Sequence, residues 1–456
     1  MRKVVIGLVV IGITLGVVGL KIIASAREIA DRVLRGERRE TIAASSRWLG
    51  VPWLAKLVAE AEHKEYLVLL QNNMELRPTG GFLGSYARVS FTDGYLDSVK
   101  VEDIYVPDGQ LPGYVEPPAP IKQYLNSNGW LLRDSNWEAD FSQAAPVIEW
   151  FFEQGKEPEA DGVVAVNLFV AQDLMRAVGP IYLADYQETV TAENLFAKAE
   201  AHSEVDFFPG STQKRDFLSL VAKQLTEKVK AADWRTQIKV VKAIRDSLRR
   251  KHILVWVKDN QITQAMRRLN WDGKLVYNEG DYLMIVEANL GVNKTNCCLE
   301  RRINQEVTLT EIGGLQERLT INYKNNNPVK PEPPKFWGGG YKNYLRVYLP
   351  KVAQLDSVRI NQMLLQLTEV DQEMVNDFLV VGFLVEVGGG ESGEVEINYS
   401  QLIPPVDRVY RLKVQKQSGT GDDPYSLTFH SPTCPTRQLN RTLDQDFTWE
   451  TKLKCN

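Results

Sequence analysis

The last third of the sequence has a hydrophobic period of two, and this feature limits the possible folds more than any other. From about residue 296, short runs rich in β-branched and aromatic residues are separated by turn residues. Such alternation places one set of side chains in a core and the other in solvent. The runs are Gln305–Ile312, Arg318–Lys324, Tyr344–Leu349, Phe378–Glu386, Glu394–Tyr399, Tyr410–Gln415 and Tyr425–His430. They predict an antiparallel β-sandwich over residues 296–456.

A different pattern precedes the sandwich. Val163–Val166 has the composition of a buried strand, Leu168–Val178 has helical spacing, and Ile181–Leu183 again reads as a strand. This order predicts a βαβ unit in a partly parallel sheet covered by helices. We therefore expect a mixed α/β (α+β) domain over residues 63–295, with Asp281–Glu287 as its last strand.

The same domain contains a helix with recognisable ends. Asp140 is a candidate N-cap, with Gln143 in the capping-box position. The helix is expected to run to about Gln154, with Gly155 just past its end.

The N-terminal segment is long and apolar. Val4–Leu20 is a run of apolar residues and glycine broken only by Thr14, and after Lys21 the run resumes with Ile22–Ala24. About 20 such residues in a helix cross the hydrocarbon core of a bilayer. Ala24-Ser25-Ala26 has the small-x-small form of a signal-peptidase site, so a cleaved signal is the competing interpretation. The run exceeds the usual signal core, which favours an uncleaved transmembrane helix over residues 1–25. A helical stalk is expected over residues 26–62.

Charge and cysteine content exclude some classes of protein. The formal net charge of −4 argues against nucleic-acid binding, because no domain-wide basic field is present. None of the four cysteines has the paired spacing of a zinc site. Cys434 with Cys455 is the favoured disulfide, and buried thiols are an equally good interpretation.

The polar segment Asn72–Ser85, NNMELRPTGGFLGS, is the strongest candidate for a ligand-binding loop. It lies between two strand-like runs, and the second run, Ser85–Thr92, closes in Asp93-Gly94, a hairpin signal. Gly80-Gly81 allows the main chain to approach a ligand closely, and Arg77 beside exposed N–H groups would suit a phosphate or carboxylate. The alternative is a wide turn whose polar side chains cap only the backbone.

A second candidate lies at the start of a predicted helix. Lys214 and Arg215 fall in its first turn, and Phe217, Val221 and Leu225 form its apolar face with Leu218. Cations at a helix N-terminus oppose the helix dipole, and an anion held there would compensate. A solvated basic turn is the alternative.

Eight short segments spread over nearly the whole chain carry a resemblance to a known family: ELRPTGGFLGS (75–85), RDSNWEADF (133–141), DGVVAVN (161–167), AVGPI (177–181), KRDFL (214–218), ANLGVNKTN (288–296), NYLRVYLP (343–350) and YRLKVQKQSGT (410–420). They resemble a bacterial membrane-anchored family catalogued as domain of unknown function 4012. The resemblance implies an extracytoplasmic body on a single-pass membrane anchor. It implies no particular activity.

Residues 66 to about 229 are also similar in order to the LytR-CpsA-Psr (LCP) family. Those extracytoplasmic enzymes transfer glycopolymers from a polyprenyl pyrophosphate carrier to the cell wall, with arginines on the pyrophosphate and aspartates on Mg²⁺. Arg77 falls near their strand-end arginine and Arg215 near the arginine of their late helix. Asn72-Asn73 stands where that family has an aspartate-arginine motif, and neutral amides bind divalent cations less tightly than carboxylates. Mg²⁺ would then need oxygens from Glu75, Asp103 or Asp134.

Two hypotheses follow. In the first, the chain binds a polyprenyl-(pyro)phosphate-linked glycan and, if catalytic, transfers glycopolymer to the cell wall. Its phosphate clamp would be Asn72, Asn73, Arg77, Thr79, Gly80, Gly81, Arg133, Lys214 and Arg215. In the second, the chain is a non-catalytic cell-surface binding or scaffold protein, with an LCP-like base and a β-sandwich that meets a polymer or another protein.

Overall fold

The computed structural model describes residues 63–93, 95–125, 127–204, 213–277, 279–311, 313–330, 338–402 and 409–453. The predicted anchor and stalk lie outside these ranges. Within them, no helix combines the length and apolar character that crossing a bilayer requires. The chain divides into two compact units. Of the described residues, the first holds those up to Asn72, Thr79–Glu116 and Gly129–Lys274, and the second holds those of Asn73–Pro78, Pro117–Asn128 and Leu275–Asn456.

The described residues contain eight α-helices and twenty strands. The helices are α1 (Tyr105–Asp108), α2 (Ala119–Leu125), α3 (Phe141–Gln154), α4 (Leu168–Val178), α5 (Leu195–Glu204), α6 (Gln213–Ala231), α7 (Trp234–Arg249) and α8 (Asn260–Arg268). The strands before residue 290 are β1 (His63–Asn72), β2 (Phe82–Thr92), β3 (Tyr95–Asp103), β4 (Gly162–Asn167), β5 (Ile181–Leu183), β6 (Glu188–Val190), β7 (Ile253–Val257) and β8 (Asp281–Asn289). The later strands are β9 (Leu299–Leu309), β10 (Leu315–Asn325), β11 (Tyr341–Pro350), β12 (Gln354–Ile360), β13 (Met363–Leu364), β14 (Asp371–Val375), β15 (Phe378–Val387), β16 (Ser392–Gln401), β17 (Val409–Gln415), β18 (Asp423–His430), β19 (Arg437–Leu443) and β20 (Phe447–Lys452).

The first unit is built on a five-stranded mixed sheet of order β3-β2-β1-β4-β7. β1 runs parallel to β4 and antiparallel to β2, so the sheet is partly parallel, as predicted. The predicted βαβ unit is wrong in one respect. β5 follows α4 as expected, but it pairs with β6 in a separate two-stranded sheet and not with β4. A three-residue strand ending in the turn at Ala184–Tyr186 forms only this local hairpin.

Helices cover both faces of this sheet. Tyr66 and Val68 of β1 face a core shared with α4, α6, α7 and α8. Leu67 and Leu69 alternate with them and pack on the other face against α3. Burial on both faces explains why β1 reads as a continuous apolar run.

Local sequence determines where the helices begin. Asp140 precedes α3, and its carboxylate accepts the amide N–H of Ser142 at 2.9 Å, as predicted for an N-cap. Gly155 follows the helix at the predicted position. In α6, Phe217, Val221 and Leu225 are buried in the core, which confirms the predicted apolar face.

The second unit contains two sheets that share one core. The seven-stranded sheet has the order β13-β12-β16-β10-β9-β18-β19, and the six-stranded sheet has the order β14-β15-β11-β8-β17-β20. Apolar side chains from both sheets meet in a single cluster, as expected for a sandwich. Most pairings are antiparallel, but β17 runs parallel to β8 and β18 parallel to β9.

Strand β8 differs from the expectation. Asp281–Glu287 was expected to be the last strand of the α/β domain, whereas β8 pairs with β11 and β17 inside the six-stranded sheet. All nine of its residues are buried. A strand buried on both faces has no alternation of polar and apolar residues, so its sequence resembles a strand of a helix-covered sheet.

Two cysteines of the second unit carry thiols and a third is bridged. Cys297 and Cys298 are not in disulfides. Cys434 is disulfide-bonded. Cys455, its favoured partner in the sequence analysis, lies outside the described residues.

Candidate functional site

The predicted ligand-binding loop is divided between the two units. Asn72 ends β1 in the first unit, Asn73–Pro78 belong to the second, and Thr79 returns the chain to the first. Residues predicted to form one phosphate clamp therefore fall into two groups, and each group has its own surroundings. The clamp as a whole stays a prediction.

In the first unit, amide side chains hold the glycine-rich part of the loop. The Thr79 hydroxyl accepts from Gln71 Nε2 at 2.7 Å and from Asn136 Nδ2 at 3.0 Å. Asn136 Nδ2 also donates to the Gly81 carbonyl at 2.8 Å. Gly80 and Gly81 have φ values of +130° and +153°, a region that favours glycine. These contacts fix the conformation of the turn within the first unit.

Arg133 of the first unit is paired with a carboxylate but keeps access to solvent. Its NH1 donates to Asp108 Oδ2 at 3.1 Å, and its side chain is 30% exposed. The guanidinium lies 5.2 Å from the ring centre of Tyr105, a cation–π contact. Burial raises the pKa of the Asp108 carboxyl, and Arg133 opposes that shift. Arg133 thus stabilises a partly buried charge.

Arg77 of the second unit is almost completely enclosed. Its side chain is 3% exposed, and NH2 lies 3.1 Å from Glu75 Oε1. NH1 donates to the Asn289 carbonyl at the end of β8. The surrounding backbone is also fixed, since Gln417 Nε2 donates to the Arg77 carbonyl at 3.2 Å. The side chain that was predicted to bind a phosphate thus pairs with a carboxylate of its own loop, and phosphate binding by Arg77 stays a prediction.

Other residues of the hexapeptide Asn73–Pro78 are also held by hydrogen bonds within the second unit. Leu76 N–H donates to Asn296 Oδ1 at 3.0 Å, and the Leu76 carbonyl accepts from Asn289 N at 2.9 Å. Asn73 Nδ2 lies 3.4 Å from the Gly419 carbonyl. Asn289 and Asn296 belong to the segment 288–296, ANLGVNKTN, which resembles a family motif. In the structure, Asn289 and Asn296 of this segment form the hydrogen bonds that hold Leu76.

The other predicted site residues are less informative. Lys214 and Arg215 lie in the first turn of α6, as predicted, but their side chains are outside the described part of the structure. Asp103 accepts from Tyr105 N at 2.9 Å, and Asp134 lies 3.9 Å from Arg133 Nε. Among the described residues, no three His, Cys, Asp or Glu side chains are grouped as a metal site. Mg²⁺ binding stays a prediction.

A buried pair of carboxyl groups inside the sandwich was missed by the sequence analysis. Asp281 of β8 and Glu317 of β10 hydrogen-bond each other, and Gln401 Nε2 donates to both, at 2.8 Å to Asp281 Oδ1. Burial raises the pKa of Glu317 well above its usual range, and the charge of Asp281 raises it further. Burial also raises the pKa of Asp281. The pair therefore holds a proton at a pH where ordinary carboxyl groups have lost theirs.

Hydroxyl and amide donors surround this pair. Tyr399 OH lies 2.8 Å and Gln305 Nε2 3.0 Å from Glu317 Oε2, and Tyr410 OH donates to Asp281 Oδ2. One feature of the sequence indicated a buried carboxyl group. In β10, Leu315, Leu319 and Ile321 share the inward phase with Glu317, so an acid stood at a core position of the alternating pattern.

A second buried charge cluster lies in the same unit. Arg301 NH1 lies 3.1 Å from Glu287 Oε2, and Arg301 NH2 also pairs with Asp423. Tyr323 OH donates to Glu287 Oε1 at 2.6 Å. Within the described residues, one guanidinium thus pairs with two carboxylates, and the Tyr323 hydroxyl gives one of them a further hydrogen bond, so each of these buried charges has a partner, as in a structural cluster.

Comparison with known proteins gives a family match over part of the chain. Residues 61–202 match the family described as "Protein of unknown function (DUF4012)". This match supports the predicted family over that segment. No functionally curated protein matches the sequence.

Similar solved structures share little of the sequence. The chain is similar to a protein described as nutrient-binding from Legionella pneumophila, with 8% identity, a TM-score of 0.25, and coverage of 35% of this chain and 56% of that one. It is also similar to gbs0355 of Streptococcus agalactiae, with 11% identity, a TM-score of 0.28, and coverage of 46% and 74%. It is similar as well to Lin1025 of Listeria innocua, with 14% identity, a TM-score of 0.27, and coverage of 49% of this chain and 86% of that one. The chain thus spans about half the length of the Legionella protein.

Proposed function

We propose that this chain is a non-catalytic, membrane-anchored binding or scaffold protein of the cell surface. In this proposal the α/β unit is a structural base and the β-sandwich meets a partner. The anchor is inferred from the apolar run Val4–Leu20. The observation that carries the proposal is the enclosed ion pair between Arg77 and Glu75.

The energetics of that pair weigh against a phosphate clamp. A phosphate that took Arg77 from Glu75 would leave a carboxylate, itself only 8% exposed, without this cation. Removing one partner from a buried pair costs about 3–5 kcal/mol. This cost corresponds to a loss of roughly a hundred- to a few thousand-fold in affinity. An arginine in this position is better suited to fixing the loop than to binding a ligand.

The competing function is an LCP-like glycopolymer transferase that binds a polyprenyl pyrophosphate. One observation favours it, because Arg133 is partly exposed and could exchange Asp108 for a phosphate. Lys214 and Arg215 would join it, with Mg²⁺ on carboxylate oxygens. The reaction would depend on charge neutralisation around the transferred phosphoryl group.

Calorimetric titration of the full-length chain in detergent separates the two functions. The probe is farnesyl pyrophosphate, with and without Mg²⁺, because it carries the pyrophosphate and a short prenyl tail. The scaffold proposal expects no saturable heat up to about 1 mM ligand. This result would mean that any binding free energy is weaker than about −4 kcal/mol.

A matched pair of variants makes the titration specific. Arg133→Gln removes the partly exposed arginine of the first unit. Arg176→Gln is the control, because Arg176 is also exposed and pairs with an aspartate at 2.8 Å. Micromolar binding that weakens at least tenfold in Arg133→Gln, and is unchanged in Arg176→Gln, would overturn the scaffold proposal.

A further inference from the structure

One edge of the sandwich has unusual properties. β13 is the end strand of the seven-stranded sheet, and β14 is the end strand of the six-stranded sheet. Only residues 365–370 separate them in sequence, so the chain passes from one sheet to the other at this edge. We call the segment Met363–Val375 the sandwich edge.

The sandwich edge exposes large apolar side chains. Their exposed fractions are 71% for Met363, 62% for Leu364, 62% for Leu367 and 56% for Met374. In β14, four consecutive residues are exposed and the fifth is half-buried, so neither face of the strand is covered. Single exposed apolar residues are common, but a group along one edge is typical of an interaction surface.

The backbone of β14 has one open side. Among the described strands it pairs only with β15, from Asp371 opposite Gly382 to Val375 opposite Phe378. In an antiparallel ladder, every second residue of an end strand directs its N–H and C=O away from its neighbour. Such a row of donors and acceptors is the template that an added strand uses.

The charge of this edge selects its partner. Between Arg359 and Arg408 the sequence contains no lysine or arginine, while Glu369, Asp371 and Glu373 lie on or beside β14. Glu369 accepts the N–H of Gln366, and Asp371 accepts the Tyr344 hydroxyl. Neither contact brings a cation. Within the described residues, no basic side chain forms an ion pair with Glu373.

We propose that β14 docks an extended polypeptide segment of another protein, with basic and apolar residues in alternation, as an added edge strand. Its backbone would pair with β14, its basic residues would face Asp371 and Glu373, and its apolar residues would cover Met374. A second copy of this chain fits poorly, because antiparallel self-pairing about Glu373 would set this carboxylate against itself. The inference rests on the proposed function, since it names the partner class of the sandwich.

The test uses the full-length chain in detergent and a short labelled peptide of alternating lysine and valine, followed by fluorescence anisotropy. We expect saturable binding by wild type. Met374→Ser should weaken it about tenfold, from the lost apolar contact. Glu373→Lys should weaken it about fivefold and increase the affinity for the matched peptide of alternating glutamate and valine. Both side chains are exposed, and unchanged melting temperatures would establish that the variants fold.

Controls distinguish binding at β14 from non-specific binding of the peptide. Leu402→Ser changes another exposed apolar residue of the same unit and should leave binding unchanged. A peptide with a central proline cannot pair along its length and should bind at least tenfold more weakly. Equal binding of this peptide, equal binding by Met374→Ser, or a dimer of the chain that Met374→Ser abolishes would overturn the proposal. Such a failure concerns β14 alone, whereas farnesyl pyrophosphate binding would overturn the scaffold function itself.

Discussion

Glu317→Gln should make the protein less stable than wild type near pH 4 to 5 and more stable than wild type at neutral and higher pH. The wild-type carboxyl has a raised pKa because it is buried beside Asp281. A carboxyl whose pKa is raised by folding stabilises the fold below its ordinary pKa, and this contribution is lost as the pH rises through the raised value. Glutamine is uncharged at every pH, so the variant lacks this loss.

The magnitude follows from the hydrogen bonds of the pair. An amide oxygen at the position of Oε2 keeps the donors Tyr399 and Gln305, and the amide nitrogen replaces the shared proton. The bond from Gln401 to Oε1 is lost, which costs about 1 kcal/mol. The variant should therefore be about 1 kcal/mol less stable near pH 4 to 5. Above that range it should gain about 1.4 kcal/mol on wild type per pH unit, until the raised pKa is passed.

Calorimetric unfolding of both proteins at pH 5, 6, 7 and 8 measures this difference. Hydrogen exchange of β10 and β16 assigns the change to the second unit. Glu306→Gln is the matched control, because it makes the same change at an exposed position of β9 that pairs with Arg318 at 3.2 Å. Parallel curves for wild type and Glu317→Gln across this pH range would refute a shared proton in the core.

Three further substitutions test contacts described above. Arg77→Gln should lower the free energy of unfolding by about 3–5 kcal/mol, and the double variant with Glu75→Gln by less than the sum of the single changes; additive losses in denaturant titrations would contradict a coupled pair. Gly162→Ala should cost about 1–3 kcal/mol, because its Cβ would lie 2.5 Å from the Trp256 carbonyl oxygen, and an unchanged melting temperature would show that β7 can move aside. Asp140→Ala should cost about 1 kcal/mol through the lost N-cap of α3, and rescue by Asp140→Ser would separate capping from other causes of the lower melting temperature.

Features set by neighbouring residues could be predicted from the sequence. Asp140 and Gly155 bound α3 as expected, because capping depends on atoms within one turn. Asp93, with φ of +51°, follows the strand that was predicted to end in a hairpin. The two sheets of the second unit agree with the predicted period of two, since alternation depends only on strand geometry.

Features set by distant residues could not be predicted in this way. Arg77 was predicted to bind a ligand because the residues near it in sequence do not reveal its distant partners. Its side chain donates to the Asn289 carbonyl, and its own carbonyl accepts from Gln417. Glu317 stood in the apolar phase of β10, but its partner lies on another strand of the opposite sheet. Strand β8 was assigned to the wrong sheet because burial on both faces looks the same in either architecture.

The division of the loop has a consequence for the assembly of the chain during translation. Asn73–Pro78 leaves the ribosome long before β8, yet it belongs to the unit that β8 helps to build. A fragment that stops at Lys274 would carry this hexapeptide without the sandwich that receives it, and one that starts at Leu275 would lack it. Separate expression of the halves therefore calls for a synthetic copy of residues 73–78, supplied to the sandwich as a complementing peptide.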